Sequence, residues 1–123
     1  MSDNTSLDAT GFACGACDTP LFQSKDIITT ILSGAMGKSL LVRNPRTNVV
    51  FSSGEKQTRL TTGMHITRDI ECFTCHKPLG WYYVKAFEAD QKFKEGAYLI
   101  EKSLLVPVKP AAQPSVFSFL WKQ

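Results

Sequence analysis

No apolar run in this sequence approaches the roughly 18 residues that a membrane-spanning helix requires, which excludes a helical transmembrane protein. The opening residues, MSDNTSLDATGFACGAC, lack a basic stretch followed by an apolar one. The expectation is therefore a chain without a secretory leader, working inside the cell. No segment sustains an apolar 3.6-residue period, so a helical bundle is excluded as well. Histidine is scarce, with only two residues. No Ser-His-Asp arrangement, phosphate-cradling glycine loop or H-E-x-x-H helix can be found, and the run SGAMGKS at Ser33–Ser39 lacks P-loop spacing. An enzyme is not indicated.

What is present is an ordinary globular composition: 123 residues, 43% hydrophobic and 20% charged, enough for one domain with a real core. The formal charge is +3, but four metal-bound thiolates with one divalent ion would lower it to about +1. Overall basicity is thus a weak argument for a nucleic-acid partner. The bias is local, with Lys38, Arg43, Arg46, Lys56, Arg59 and Arg68 set against the single acid Glu55. A solvated face accounts for this more simply than a phosphate-binding one.

Residues 1–10 are polar and aperiodic and read as a disordered lead. From there the pattern is β throughout. Ile27–Leu32, Ser39–Val42, Asn48–Phe51, Lys56–Thr62, Met64–Glu71, Leu79–Phe87 and Tyr98–Val106 read as strands, punctuated by Gly34 and Gly37, Asn44–Pro45, Gly63 and Gly96. In Met64–Glu71 the alternation places Met64, Ile66 and Ile70 on one face and His65, Thr67 and Asp69 on the other. Period-2 geometry likewise puts residues 81, 83, 85 and 87 on one face, where Lys85 keeps the aromatics half-open. Glu88–Gly96 reads as a helical turn or a wide loop. The chain divides into the lead at 1–10, a domain at 11–106 and a tail at 107–123. That tail is proline-rich at Pro107, Pro110 and Pro114, then crowds Val116, Phe117, Phe119, Leu120 and Trp121 together. It either folds back over the sheet or docks on a partner or a second copy of the chain.

All four cysteines fall in two C-x-x-C pairs, Cys14–Cys17 and Cys72–Cys75, with 54 residues between the pairs. A C-x-x-C knuckle points two thiolates at one ion, and two knuckles complete a tetrahedral four-sulfur site. This spacing predicts one structural zinc that fastens the start of the domain to its middle. The same four thiolates also suit an iron–sulfur cluster. Cys72–His76 matches the c-type haem pattern, but that reading leaves Cys14 and Cys17 unexplained. A closed four-cysteine site has no open coordination position and so activates no water. His76 reads as a surface knuckle residue and His65 as a structural histidine in a strand.

Around the second pair the sequence resembles a known family. Cys72-x-x-Cys75, Leu79-Gly80-Trp81-x-Tyr83, Ala86-Phe87-Glu88, Gln91-Lys92-Phe93-Lys94-Glu95-Gly96 and Ile100-Glu101 closely resemble the Yippee-like proteins. Cys14-x-x-Cys17, Asn48-Val49-Val50, Leu60-x-Thr62-Gly63-x-His65 and Asp69-Ile70 upstream are similar to the same family. The resemblance implies an all-β fold, a β-tent of two antiparallel sheets pinned by zinc on Cys14, Cys17, Cys72 and Cys75, with an extended C-terminal tail. That architecture is related to the ligand-binding domain of cereblon. By resemblance, Trp81 and Tyr83 fall where two aromatic cage residues of that domain lie, with His65 as a third wall residue. The function implied is a noncatalytic protein-interaction module in the nucleus and cytoplasm, serving as an adaptor or regulatory subunit of a multisubunit ubiquitin ligase. The alternative is a sensor of a small molecule or modified residue, which captures a compact cationic or imide group at Trp81.

Overall fold

The computed structural model describes residues 10–45 and 48–108. The readings of the polar lead up to residue 9 and of the tail beyond Val108, including self-association through it, lie outside the described residues. Ten strands follow in chain order: β1 (Gly11–Cys14), β2 (Pro20–Gln23), β3 (Ile27–Gly34), β4 (Gly37–Val42), β5 (Val49–Phe51), β6 (Lys56–Leu60), β7 (Gly63–Cys72), β8 (Pro78–Ala86), β9 (Tyr98–Glu101) and β10 (Leu105–Pro107). Among the described residues the helical elements are short 3-10 turns at Ser24–Asp26, Ala89–Lys94 and Lys102–Leu104. None is long and apolar enough to cross a membrane.

The strands form two antiparallel sheets, as the resemblance to the Yippee-like proteins implied. The small sheet has the order β10-β1-β2. The large one runs β3-β4-β9-β8-β7-β5, with β6 also paired to β7. β5 takes the second half of β7 and β6 the first half, so a single long strand holds both along one edge. The first and last described strands pair, Phe12 opposite Pro107, and the Val108 amide donates to the Gly11 carbonyl.

Two apolar clusters lie on opposite faces of the large sheet. On the inner face Leu40, Val42, Ile70, Leu79 and Ile100 pack against Cys14, Leu21 and Phe22 of the small sheet. On the outer face Leu41, Tyr83, Ala97 and Leu99 pack with Leu32, Leu60 and Trp81. The register explains the division: Leu40 sits opposite Ile100 and Leu41 opposite Leu99, so adjacent residues face opposite ways. Gly80, opposite both Ile70 and Ile100, has φ of +151°, and a Cβ there would collide with the Leu99 carbonyl oxygen. Only glycine lets β8 approach β9 this closely.

Three local readings need correction. Tyr98–Val106 is not one strand: after Glu101 a 3-10 turn carries the chain from the large sheet to the small one. The break lies where Glu101 turns inward, accepting hydrogen bonds from the Ala35 and Met36 amides and the Ser39 hydroxyl. Along β7 the fully buried residues are His65, Thr67, Ile70 and Cys72, while Met64 and Ile66 are half-buried. The polar face of its first half is covered by the outer-face cluster, where the His65 ring packs on Tyr83. In β8 the register slips between the pairs Ile66–Lys85 and Thr67–Tyr83. This bulge places Ala86 rather than Lys85 on the Tyr83 side, so Lys85 is exposed and Ala86 fully buried. The short strands β1 and β2 were not read from the sequence at all, and the β10 residues Leu105 and Val106 were read only as the end of the longer strand Tyr98–Val106.

Candidate metal centre and outer cavity

The two knuckles are built alike. In the first, the Cys14 amide donates to the Thr19 carbonyl and the Asp18 amide to the Cys14 carbonyl. In the second, the Cys72 amide donates to the Lys77 carbonyl and the His76 amide to the Cys72 carbonyl. Asp18 and His76, each one residue past the second cysteine, have φ of 65° and 64°. Each C-x-x-C is thus a hydrogen-bonded turn closed by a left-handed residue, a role that Asp and His fill more readily than branched side chains. This explains His76 without a ligand role: it is exposed, and its Nδ1 lies 2.7 Å from Glu71 Oε2. Further bonds fasten both turns, from Gly15 N to the Leu104 carbonyl and from Phe73 N to the Asn48 carbonyl.

Cys14 ends a strand of the small sheet and Cys72 ends one of the large sheet, so the knuckles meet where the sheets converge. The four sulfurs lie within 4.8 Å of one another. The Cys14–Cys75 and Cys17–Cys72 separations are both 3.6 Å. A tetrahedron of sulfurs about 2.3 Å from a zinc ion has edges of about 3.8 Å, so the cluster is dimensioned for such an ion. The donor chemistry agrees. The Thr19 hydroxyl, 3.1 Å from the Cys17 sulfur, and the Thr19 amide hold the Cys17 thiol down at about 6. At Cys75 the Lys77 amide pulls the other way, but burial and the neighbouring Cys14, Cys17 and Cys72 thiols push the thiol up to about 12. Thiols this close do not all ionise without a cation among them, and a divalent metal supplies that charge.

The second feature lies on the outer face of the large sheet. A cavity of about 580 Å³ is lined by residues 31–35 of β3 and its turn, residues 59–62 at the end of β6, Trp81 and Tyr83 of β8, and Lys94. Trp81 and Tyr83 meet edge to face at 6.3 Å. Tyr83 is 1% exposed. Burial raises its phenol pKa, opposed by the Trp81 N–H, which sits beside the Tyr83 oxygen without completing a hydrogen bond. His65 is not among the lining residues. It is fully buried, its Nδ1 is 2.9 Å from the Gly63 carbonyl, and it supports Tyr83 at a ring separation of 5.4 Å.

Sequence reasoning missed Lys94 and Arg59 as cavity residues. Arg59 was read only as part of a basic segment, which the fold disperses: Lys56 pairs with Asp69 at 2.8 Å and Arg68 lies over the Phe51 ring at 3.8 Å. Lys94 stands in a polar stretch, and its one local signal is the following Gly96, with φ of +82°, which turns the chain back into β9.

A family model described as "Yippee zinc-binding/DNA-binding /Mis18, centromere assembly" matches residues 10–115. A yippee-like protein of Arabidopsis thaliana is 38% identical over 96 residues, 77% of this chain and 88% of that protein. Protein yippee-like 3 of Homo sapiens is 37% identical over 95 residues, 77% of this chain and 78% of its own. Among solved structures, the crystal structure of the Mis18 "Yippee-like" domain superposes with a TM-score of 0.64 at 17% identity, covering 80% of this chain and 93% of that one, which speaks to the fold. With a family match over most of its length and relatives of this identity along three quarters of it, the chain belongs to the Yippee–Mis18 family.

Proposed function

We propose that this chain is a noncatalytic, zinc-stabilised protein-interaction module. The observation that carries the reading is the four-sulfur cluster at the junction of the two sheets. One zinc per chain, held by Cys14, Cys17, Cys72 and Cys75, would lock the sheets together and leave the outer face of the large sheet for recognition. Four protein ligands fill a tetrahedral zinc, so the ion supplies structure and not a reactive water. The noncatalytic reading is further supported by His65, whose Nδ1 is engaged by a backbone carbonyl inside the core.

The finer reading is an adaptor or regulatory subunit of a multisubunit ubiquitin ligase, acting in the nucleus and cytoplasm. It rests on what the resemblance to the Yippee-like proteins implies, and we place the contact at the cavity rimmed by Trp81 and Tyr83. A second reading, a small-ligand sensor, is favoured by the volume of that same cavity, which falls within the range of about 300–1,000 Å³ usual for small-molecule sites. The test is purification of native complexes on tagged wild type and Trp81→Ala, with zinc measured in both. Ligase subunits recovered with wild type alone support an adaptor whose contact is Trp81. Equal recovery moves the contact elsewhere on the adaptor. If neither retains a partner, the adaptor reading fails and the sensor reading stands in its place.

A further inference from the structure

The outer cavity carries charge of one sign. Arg59 and Lys94 line it, and among the described residues no aspartate or glutamate does. Lys94 is only 4% exposed, and among the described residues its ammonium makes one hydrogen bond, a long one of 3.4 Å to the Thr62 hydroxyl. Its Nζ lies 5.3 Å from the centre of the Tyr83 ring and 5.9 Å from that of Phe93. Among the described residues neither Lys94 nor Arg59 makes an ion pair. The nearby buried carboxylate, Glu101, is already engaged by the Ala35 and Met36 amides and the Ser39 hydroxyl. Burial depresses the Lys94 pKa, with only Asp90 acting electrostatically in the opposite direction. A third donor, the Trp81 indole N–H, is buried beside the Tyr83 oxygen without completing a hydrogen bond among the described residues.

A buried ammonium without a counter-charge and a dry N–H whose hydrogen bond is incomplete are each costly unless something supplies the missing partner. An aromatic pocket alone would suit a cationic guest. Here the chain has already placed its own cation on Tyr83, so a second cation would be repelled and an anion attracted.

Resting on the reading of this cavity as a binding site, we propose that it takes an organic carboxylate: an apolar or aromatic body against Trp81, Leu32 and Leu60, with its carboxylate on the Lys94 ammonium and Arg59 at the mouth. Such a group reaches the cavity either as a free small acid or as the carboxylate end of a peptide.

Isothermal titration of the zinc-loaded full chain tests this with 3-phenylpropionate and its uncharged amide, 3-phenylpropionamide. A short acetylated peptide ending in phenylalanine, with a free or an amidated terminus, forms the second arm. The acid is expected to bind at least tenfold more tightly than the amide, and Lys94→Met is expected to remove that preference while zinc content stays at one per chain. Should Lys94→Met fail to fold, the exposed Arg59→Met reports instead, with a loss of several-fold for the acid and none for the amide. Tighter binding of the free-ended peptide than of the acid identifies a peptide terminus as the source, and the reverse a free acid. Equal binding of acid and amide overturns the carboxylate assignment but leaves the cavity a binding site. Silence from all four probes overturns both.

Discussion

Removing the metal should cost this domain much of its stability. Cys17 and Cys72, whose sulfurs are 3.6 Å apart, are separated by 55 positions in the chain. Treating the metal clip as a cross-link that closes a loop of that length, the chain-entropy relation gives a stabilisation of about 4 kcal/mol. That is a large share of the roughly 5–15 kcal/mol typical of a whole domain. For a domain of this size it corresponds to a fall in Tm of roughly 20 °C. The assay is thermal unfolding followed by circular dichroism, before and after exhaustive chelation under reducing conditions, with residual zinc quantified in each sample. Cys72→Ser should reproduce the chelated value, and adding chelator to that variant should change little. A fully demetallated protein that melts within about 3 °C of the loaded one would refute the argument. It would mean that packing of Leu21 and Phe22 against Leu40, Ile70 and Leu79 holds the two sheets together without the clip.

Two further predictions concern single positions. Gly80→Ala should destabilise by at least about 3 kcal/mol in urea unfolding, because the new Cβ meets the Leu99 carbonyl and separates β8 from β9; a change below about 1 kcal/mol would show that β8 can shift to accommodate it. Lys94→Met should stabilise the fold by roughly 1 kcal/mol at pH 7, since it removes a buried, unpaired ammonium. With the folded pKa below the ordinary value of 10.5, the unfolded chain binds the extra proton between those two values. Wild-type stability should therefore rise relative to Lys94→Met as pH is raised through that window. A gap that stays constant with pH would show that Lys94 ionisation is not its origin.

Much of the architecture was legible because its signals are local. Cysteine spacing, β-branched and aromatic runs and punctuating glycines act over a few residues, and they were enough to indicate an all-β domain, most strands of the large sheet and the two cysteine pairs. Two short strands of the small sheet, β1 and β2, were not legible. Phe12 and Phe22 carry no alternation long enough to count, and β1 exists because β2 and β10 flank it.

The outer cavity separates the two kinds of information most clearly. Sequence alone placed Trp81 and Tyr83 on one face of a strand, since side-chain alternation is a property of the strand itself. It could not foresee the bulge after Tyr83 that turns Lys85 outward, because a register slip is decided by the partner strand β7. Nor could it join Lys94 to Arg59, which lie on separate segments and share a cavity only once the sheet is assembled. The residue types that bind a metal are written in the chain. The charge that lines a pocket is decided by tertiary folding, since burial and separation in space determine which ions lack partners.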